Sequence, residues 1–472
     1  MECQGCGKME IKIEDSEDTV MYERRDESEN EFVAMEQCLS RVTVHEFSAE
    51  ILFYIFQHMD MNTRLNAGFT CRKWRQVLVS TRSLWKVVSL QWDEIVSSPT
   101  LQDKLSIYQR HSCDTVTDIS IAYNVEVSPH SCIDEVFRST HPQLQRFSFS
   151  YGPSRFPYNN QVLLDSFVIR HWNLNNLTLY HASPILLDLQ DILLIFPKLS
   201  RLVITGSVES TSGPPQPAIN NRPASDEIIQ HPIELLHLIK FYTPAFDNFL
   251  LENLQNLQLR GSSTSFLTNY RPRKFFDQQS TMLKFPKLHT LKLVYSDNIL
   301  PNQFDTRIEI HAPLKYLNLM ECNVSAICFS QSSLNKLHIL KLIHCVNVRG
   351  FLQKLGDSTR SISVFRWTSD DVEQRCKIWE LISKWPNLHI LELRRSYITD
   401  EFIDRLADIS PNLRSLDVSY CKNISAAALA RLVKRTLSSN GKSRIENLQM
   451  AGVSDANDTD FLRKSVNTVG IK

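Results

Sequence analysis

Glycine is scarce in this chain, 12 of 472 residues. A Gly-rich phosphate cradle is correspondingly hard to find: Asn440-Gly441-Lys442-Ser443 ends like one, but Thr436 stands where the upstream glycine is required. No apolar run nears the roughly 18 residues that a membrane-crossing helix needs, so no membrane partner is expected. Charge of one sign is also missing. The 52 basic and 52 acidic side chains cancel, and without a basic excess no nucleic-acid partner is expected. The opening residues carry Glu and Asp where a secretory signal would be basic and then apolar. Eleven cysteines, an odd number without framework spacing, suit a reducing compartment, which is cytoplasmic, nuclear or both.

Patterns for covalent chemistry are incomplete. His45-Glu46 opens a zinc-protease signature, but Ala49 occupies the place of the second histidine. Cys3 and Cys6 make half of a tetrahedral zinc site with no second pair nearby. A Gly-x-Ser-x-Gly elbow is absent. The chain therefore reads as a non-enzyme without metal or cofactor.

What is present begins near the N-terminus, after an acidic stretch over residues 1–38 that reads as disordered. Apolar residues at Ile51, Leu52, Ile55, Phe56 and Met59 form one wide helical stripe, with Ser48 placed to cap it and Glu50 in its first turn. Leu65, Phe69, Cys71, Trp74, Val77, Leu78 and Leu84-Trp85 follow. A few short helices of this size cannot bury so much apolar surface alone, and the excess marks a protein-binding face. The order of these residues, above all C-x-x-W followed by L-W, resembles the F-box, here placed at 39–90. Where the family opens with Leu-Pro this chain has Phe47-Ser48, and Thr70 stands for the usual valine before the cysteine. The resemblance implies docking onto a Skp-type adaptor, and through it a cullin and a RING subunit. The residues it assigns to that contact are Phe47, Ser48, Leu52, Ile55, Phe56, Leu65, Cys71, Trp74 and Trp85.

Over 91–472 one short motif keeps returning: apolar, two others, apolar, one other, apolar. Leu254/Leu257/Leu259, Leu288/Leu291/Leu293, Leu314/Leu317/Leu319, Leu337/Leu340/Leu342 and Leu388/Leu391/Leu393 are examples. Across much of the second half the step is about 23 to 26 residues, within the leucine-rich-repeat range. A proline often precedes the motif, as in Phe285-Pro286 and Trp385-Pro386, and a small residue such as Cys322, Cys345, Ser396 or Cys421 follows it. Thr399-Asp400-Glu401-Phe402 then starts a helical pattern, with Thr399 or Asp400 as cap. The expected fold is α/β: a short all-α F-box module followed by a leucine-rich-repeat solenoid, strand-turn-helix repeats on a curved parallel sheet. It resembles the cysteine-containing repeats that often follow an F-box. Two long loops, at about 205–232 and 261–282, interrupt the period, and whether they join in binding stays open.

Residues between the apolar positions of each strand point to the concave face. Tyr180, Arg201, Arg260, Lys292, Tyr316, Lys341, Arg366 and Arg394 lie at such positions and are predicted to bind a target protein. Their basic bias suits an acidic or phosphorylated segment. The family resemblance implies a substrate-recognition subunit of a Skp/cullin/F-box ubiquitin ligase. Alternatives are a binding scaffold that assembles no cullin ligase and, less in keeping with the sequence, a small-molecule receptor.

Overall fold

The computed structural model describes residues 47–91, 114–123, 141–151, 166–182, 189–206, 228–241, 249–261, 266–267, 282–294, 308–368, 378–453 and 459–470. The acidic segment 1–38, Cys3, Cys6, His45 and most of both long loops lie outside these residues. The chain divides into two compact units, Met1–Leu144 and Gln145–Lys472. No described helix is long and apolar enough to cross a membrane.

The first unit holds helices α1 (Ala49–His58), α2 (Met61–Thr70) and α3 (Arg72–Ser80), a short 3-10 turn over Arg82–Trp85, and strands β1 (Val87–Gln91) and β2 (Asp118–Tyr123). Each helix starts on a side-chain cap. Ser48 accepts from the Ile51 amide, Asp60 from the Thr63 amide at 2.9 Å, and the Cys71 thiol sulfur from the Trp74 amide at 3.5 Å. Leu52, Phe56, Leu65, Val77, Leu78, Leu84 and Trp85 pack inward, Phe56 meeting Trp74 edge to face. β1 runs parallel to β2.

The second unit is a stack of parallel strands: β3 (Arg146–Tyr151), β4 (Asn176–Ala182), β5 (Arg201–Gly206), β6 (Ile229–Gln230), β7 (Leu235–Ile239) and β8 (Phe249–Leu250). Next come β9 (Asn256–Arg260), β10 (Met282–Lys284), β11 (Thr290–Val294), β12 (Ile308–His311), β13 (Tyr316–Met320) and β14 (Ile327–Phe329). The series ends with β15 (Ile339–Ile343), β16 (Val364–Thr368), β17 (Ile390–Glu392), β18 (Ser415–Asp417), β19 (Asn447–Gln449) and β20 (Thr468–Gly470). The main sheet of this unit runs β3-β4-β5-β7-β9-β11-β13-β15-β16-β17-β18-β19-β20, and β10-β12-β14 and β6-β8 form small flanking sheets. Parallel neighbours demand a crossover of a dozen or more residues, and the repeat step supplies it. Helices Arg349–Ser358, Asp400–Ile409 and Ala426–Arg435 are among these crossovers.

Register gives the repeat its meaning. Leu257, Leu291, Leu317, Leu340, Phe365, Leu391, Leu416 and Leu448 fall on one line and are all fully buried. Just beyond the strands, Lys240, Gly261, Glu321, His344, Arg395, Tyr420 and Gly452 take left-handed backbone with φ between 50° and 72°. After Glu321, His344, Arg395 and Tyr420 that kink turns a small residue back under the sheet. Cys322 donates to the carbonyl of Leu293 (3.6 Å), Cys345 to Leu319 (3.2 Å), Ser396 to Trp367 (3.5 Å) and Cys421 to Leu393 (2.9 Å). Each thiol or hydroxyl thus ties one repeat to the one before it, and burial pushes the Cys421 thiol up to about 11. These are structural thiols.

Asn440-Gly441-Lys442-Ser443 forms a tight turn. Gly441 has φ +73°, Leu437 bridges Ser443 antiparallel, and the Ser443 hydroxyl is bonded to Thr436 at 2.7 Å. The turn is held by its own side chains and presents no phosphate cradle.

Candidate partner-binding surfaces

In the first unit the wide apolar stripe of α1 is split between inside and outside. Leu52 and Phe56 have no exposed surface, whereas Ile51 is 48% and Tyr54 65% exposed. Ile55 is half-buried and His58 exposed, with the Tyr54 and His58 rings 4.8 Å apart. Positions 51, 54, 55 and 58 share one face at helical spacing. This outward edge is the candidate contact surface. Of the residues expected at the adaptor contact, Leu52, Phe56, Leu65 and Trp85 are buried within the unit, and Trp85 also donates its indole N–H to Leu78 O at 2.8 Å. Phe47, Ile55, Cys71 and Trp74 keep partial exposure, and Ser48 is exposed as the cap. A side-chain hydrogen bond from Ser48 is the main cause holding the Glu50 carboxyl below the usual range, in keeping with an anion at a helix start. Phe69 is exposed as well, under the Arg75 guanidinium.

One structural residue escaped the sequence reading. Arg64 reaches across the unit, donating from Nε to Met59 O at 2.8 Å and from its two Nη atoms to Leu84 O and Gln57 O. It satisfies carbonyls at the end of α1 and ties that end to the 3-10 turn. Its burial lowers its pKa from the ordinary guanidinium value. No sequence motif marks such a staple.

In the second unit the positions between buried leucines make an open face of in-register rows. The central row reads His237, Gln258, Lys292, Asn318, Lys341, Arg366, Glu392 and Asp417 from β7 to β18. Lys292, Lys341 and Arg366 thus share one line, with Arg201, Asn256 and Tyr316 on the row beside it. Arg260 lies at the far end of β9, Tyr180 at the corresponding place in β4, and Arg394 just past β17.

The basic line does not act as a unit. Arg366 pairs with Glu392 at 2.8 Å and Arg394 with buried Asp417 at 2.5 Å, so the repeats from β16 to β18 neutralise themselves. Glu392 is raised chiefly by burial, with Arg366 and Arg394 opposing, and Arg394 is raised by its bond to Asp417. Between β7 and β15 the open-face positions carry no acidic residue. Arg201 on β5 and Lys292 on β11 have no ion pair among the described residues, and Lys341 rests with Nζ 5.3 Å from the Tyr316 ring centroid. His237 is held below ordinary imidazole by burial, against a hydrogen bond to Asn256, while Arg201 and Lys292 lower it further. No cluster of described residues could hold a metal ion.

No curated protein sequence matches the chain. The yeast Rad7–Elc1 complex contains a chain 13% identical, with 95% of this chain and 93% of that one covered at a TM-score of 0.37. An internalin of Listeria monocytogenes is 11% identical, over 80% of this chain and 96% of that one, also at 0.37. The model of the F-box-like family matches residues 49–91, the segment that runs from α1 through β1. Residues 49–91 are an F-box-like domain, followed by a long sheet of parallel strands with regularly spaced buried leucines.

Proposed function

We propose that this chain is the substrate-recognition subunit of a Skp/cullin/F-box ubiquitin ligase. The observation that carries the reading is the apolar outward edge of α1, Ile51, Tyr54 and Ile55, within a segment that matches the F-box-like family. Leu52, Phe56, Leu65, Val77 and Leu78 supply the buried core of the helices while Ile51 and Tyr54 stay exposed, so the exposed edge serves a contact outside the chain. That contact is a Skp-type adaptor, which brings a cullin and a RING subunit.

The repeats hold the target protein on the open face. The chemistry is performed elsewhere in the assembly: a target captured here sits at high effective concentration beside a ubiquitin-carrying enzyme. No residue of this chain is assigned a catalytic role, and the cytoplasm or nucleus is the place of action. Capture of the intact chain from cells with the proteasome inhibited tests this. The adaptor and cullin should come down together, and an Ile51→Ala, Tyr54→Ala chain should bring neither. Adaptor without cullin, with no change in any protein's lifetime, would establish the non-degradative scaffold instead.

A further inference from the structure

We infer that β11, β13 and β15 bind an extended, carboxylate-bearing peptide whose acidic side chains are three residues apart and which crosses the strands. This rests on the receptor reading above and names what the open face accepts.

Lys292, Asn318 and Lys341 lie in register on three adjacent strands. Strands in a sheet stand about 4.8 Å apart, so the two lysine backbones are about 9.6 Å apart. A peptide in polyproline II conformation advances about 3.1 Å per residue and returns to the same face every third residue, about 9.3 Å on. Acidic residues at that interval meet Lys292 and Lys341 in turn.

Asn318 supplies the second observation. It is only 5% exposed, its Nδ2 donates to the Tyr316 hydroxyl at 3.5 Å, and its Oδ1 is buried without a partner. A buried carbonyl left unpaired is costly and calls for an N–H donor. A peptide laid along the row carries one between its two acidic residues. The flexible Lys341 side chain is the cross-strand neighbour of Asn318, and drawing it off the Tyr316 ring toward a carboxylate opens the amide on that side.

Charge decides the sign of the occupant. Open-face positions from β7 to β15 carry no acid, whereas the cations from β16 to β18 are already spent on Glu392 and Asp417. The residue types favour carboxylate over phosphate. Lysines two strands apart are separate point charges, and they lack the converging arginine forks that suit a phosphate dianion.

The test is fluorescence anisotropy of a labelled (Glu-Pro-Ala) repeat peptide on the full chain. Binding is expected, with roughly tenfold loss for Lys292→Gln or Lys341→Gln. A peptide of the same composition with its glutamates contiguous should bind more weakly. Asn318→Ala should weaken binding without lowering the thermal midpoint, since it removes an unpaired group. Equal affinity for the two glutamate arrangements, or for the double lysine variant, overturns the inference. So does tighter binding of a (phosphoserine-Pro-Ala) repeat. Adaptor capture is measured on the same proteins. A chain that holds the adaptor but not the peptide refutes this site alone, and one that binds the peptide but no adaptor refutes only the ligase reading.

Discussion

The two edges of α1 should respond oppositely to truncation. Ile51 and Tyr54 are 48% and 65% exposed and contribute little to the fold, whereas Leu52 and Phe56 are fully buried. Burying a large apolar side chain completely is worth about 1.5–3 kcal/mol. Roughly half of that remains to be gained at each exposed residue, so losing both should cost about 2 kcal/mol of adaptor binding, or about 30-fold in Kd. The thermal midpoint should hardly move. Leu52→Ala and Phe56→Ala instead leave cavities costing about 2–5 kcal/mol each, a large part of the stability of a small helical module. Titration calorimetry against a purified Skp-type adaptor, beside thermal scans of each variant, separates these outcomes. An unchanged Kd for Ile51→Ala, Tyr54→Ala would refute the assignment of the outward edge. A Leu52→Ala chain that melts normally yet loses the adaptor would refute the division of the stripe.

Other consequences follow from the second unit. Arg394→Leu leaves the buried Asp417 carboxylate with the Ser419 amide, at 3.0 Å, as its remaining described partner. Because Arg394 is 57% exposed, solvent shields part of the effect, and the loss should be about 1–2 kcal/mol by urea unfolding; Arg394→Leu, Asp417→Asn should recover some of it, and no recovery counts against the pair. His231 donates from Nε2 to Phe196 O and accepts from the Ile233 amide at Nδ1, so it is held neutral, and burial lowers its pKa. The unfolded chain takes up that proton below about pH 6.5 while the folded chain does not. Stability from this site is therefore complete above that pH and declines as pH falls toward the lower folded pKa, by at most about 1.4 kcal/mol per pH unit. His231→Phe should be less stable at neutral pH and show a flatter acid decline; parallel curves would refute the assignment. The Cys421 thiol, raised to about 11, should resist iodoacetamide in the native chain and react on unfolding, as mass spectrometry of the alkylated peptide would show.

Much of the fold was legible locally. Buried leucines at fixed spacing announced the strands, and Phe402 and Leu406 are buried on one side of helix Asp400–Ile409 as their spacing implied. The capping detail was not. Thr399 is the N-cap residue yet makes no side-chain cap bond, and Asp400 accepts from the Ser425 amide and hydroxyl of the next repeat, both at 2.7 Å. Such a bond joins residues 25 positions apart, and no local pattern encodes it.

The same distinction separates what each level determined. Sequence alone set the F-box-like segment, the repeat period and the residues presented between leucines, because helix and strand periodicities are properties of neighbouring positions. It could not decide which edge of an overly wide α1 stripe faces inward, since that depends on what α2 and α3 place beneath it. Nor could it show that Arg366 and Arg394 are spent on Glu392 and Asp417 while Lys292 and Lys341 flank Asn318, whose Oδ1 is buried without a partner. Those facts belong to strand register, where residues more than 20 positions apart are set side by side, and electrostatics acts through that distance in space.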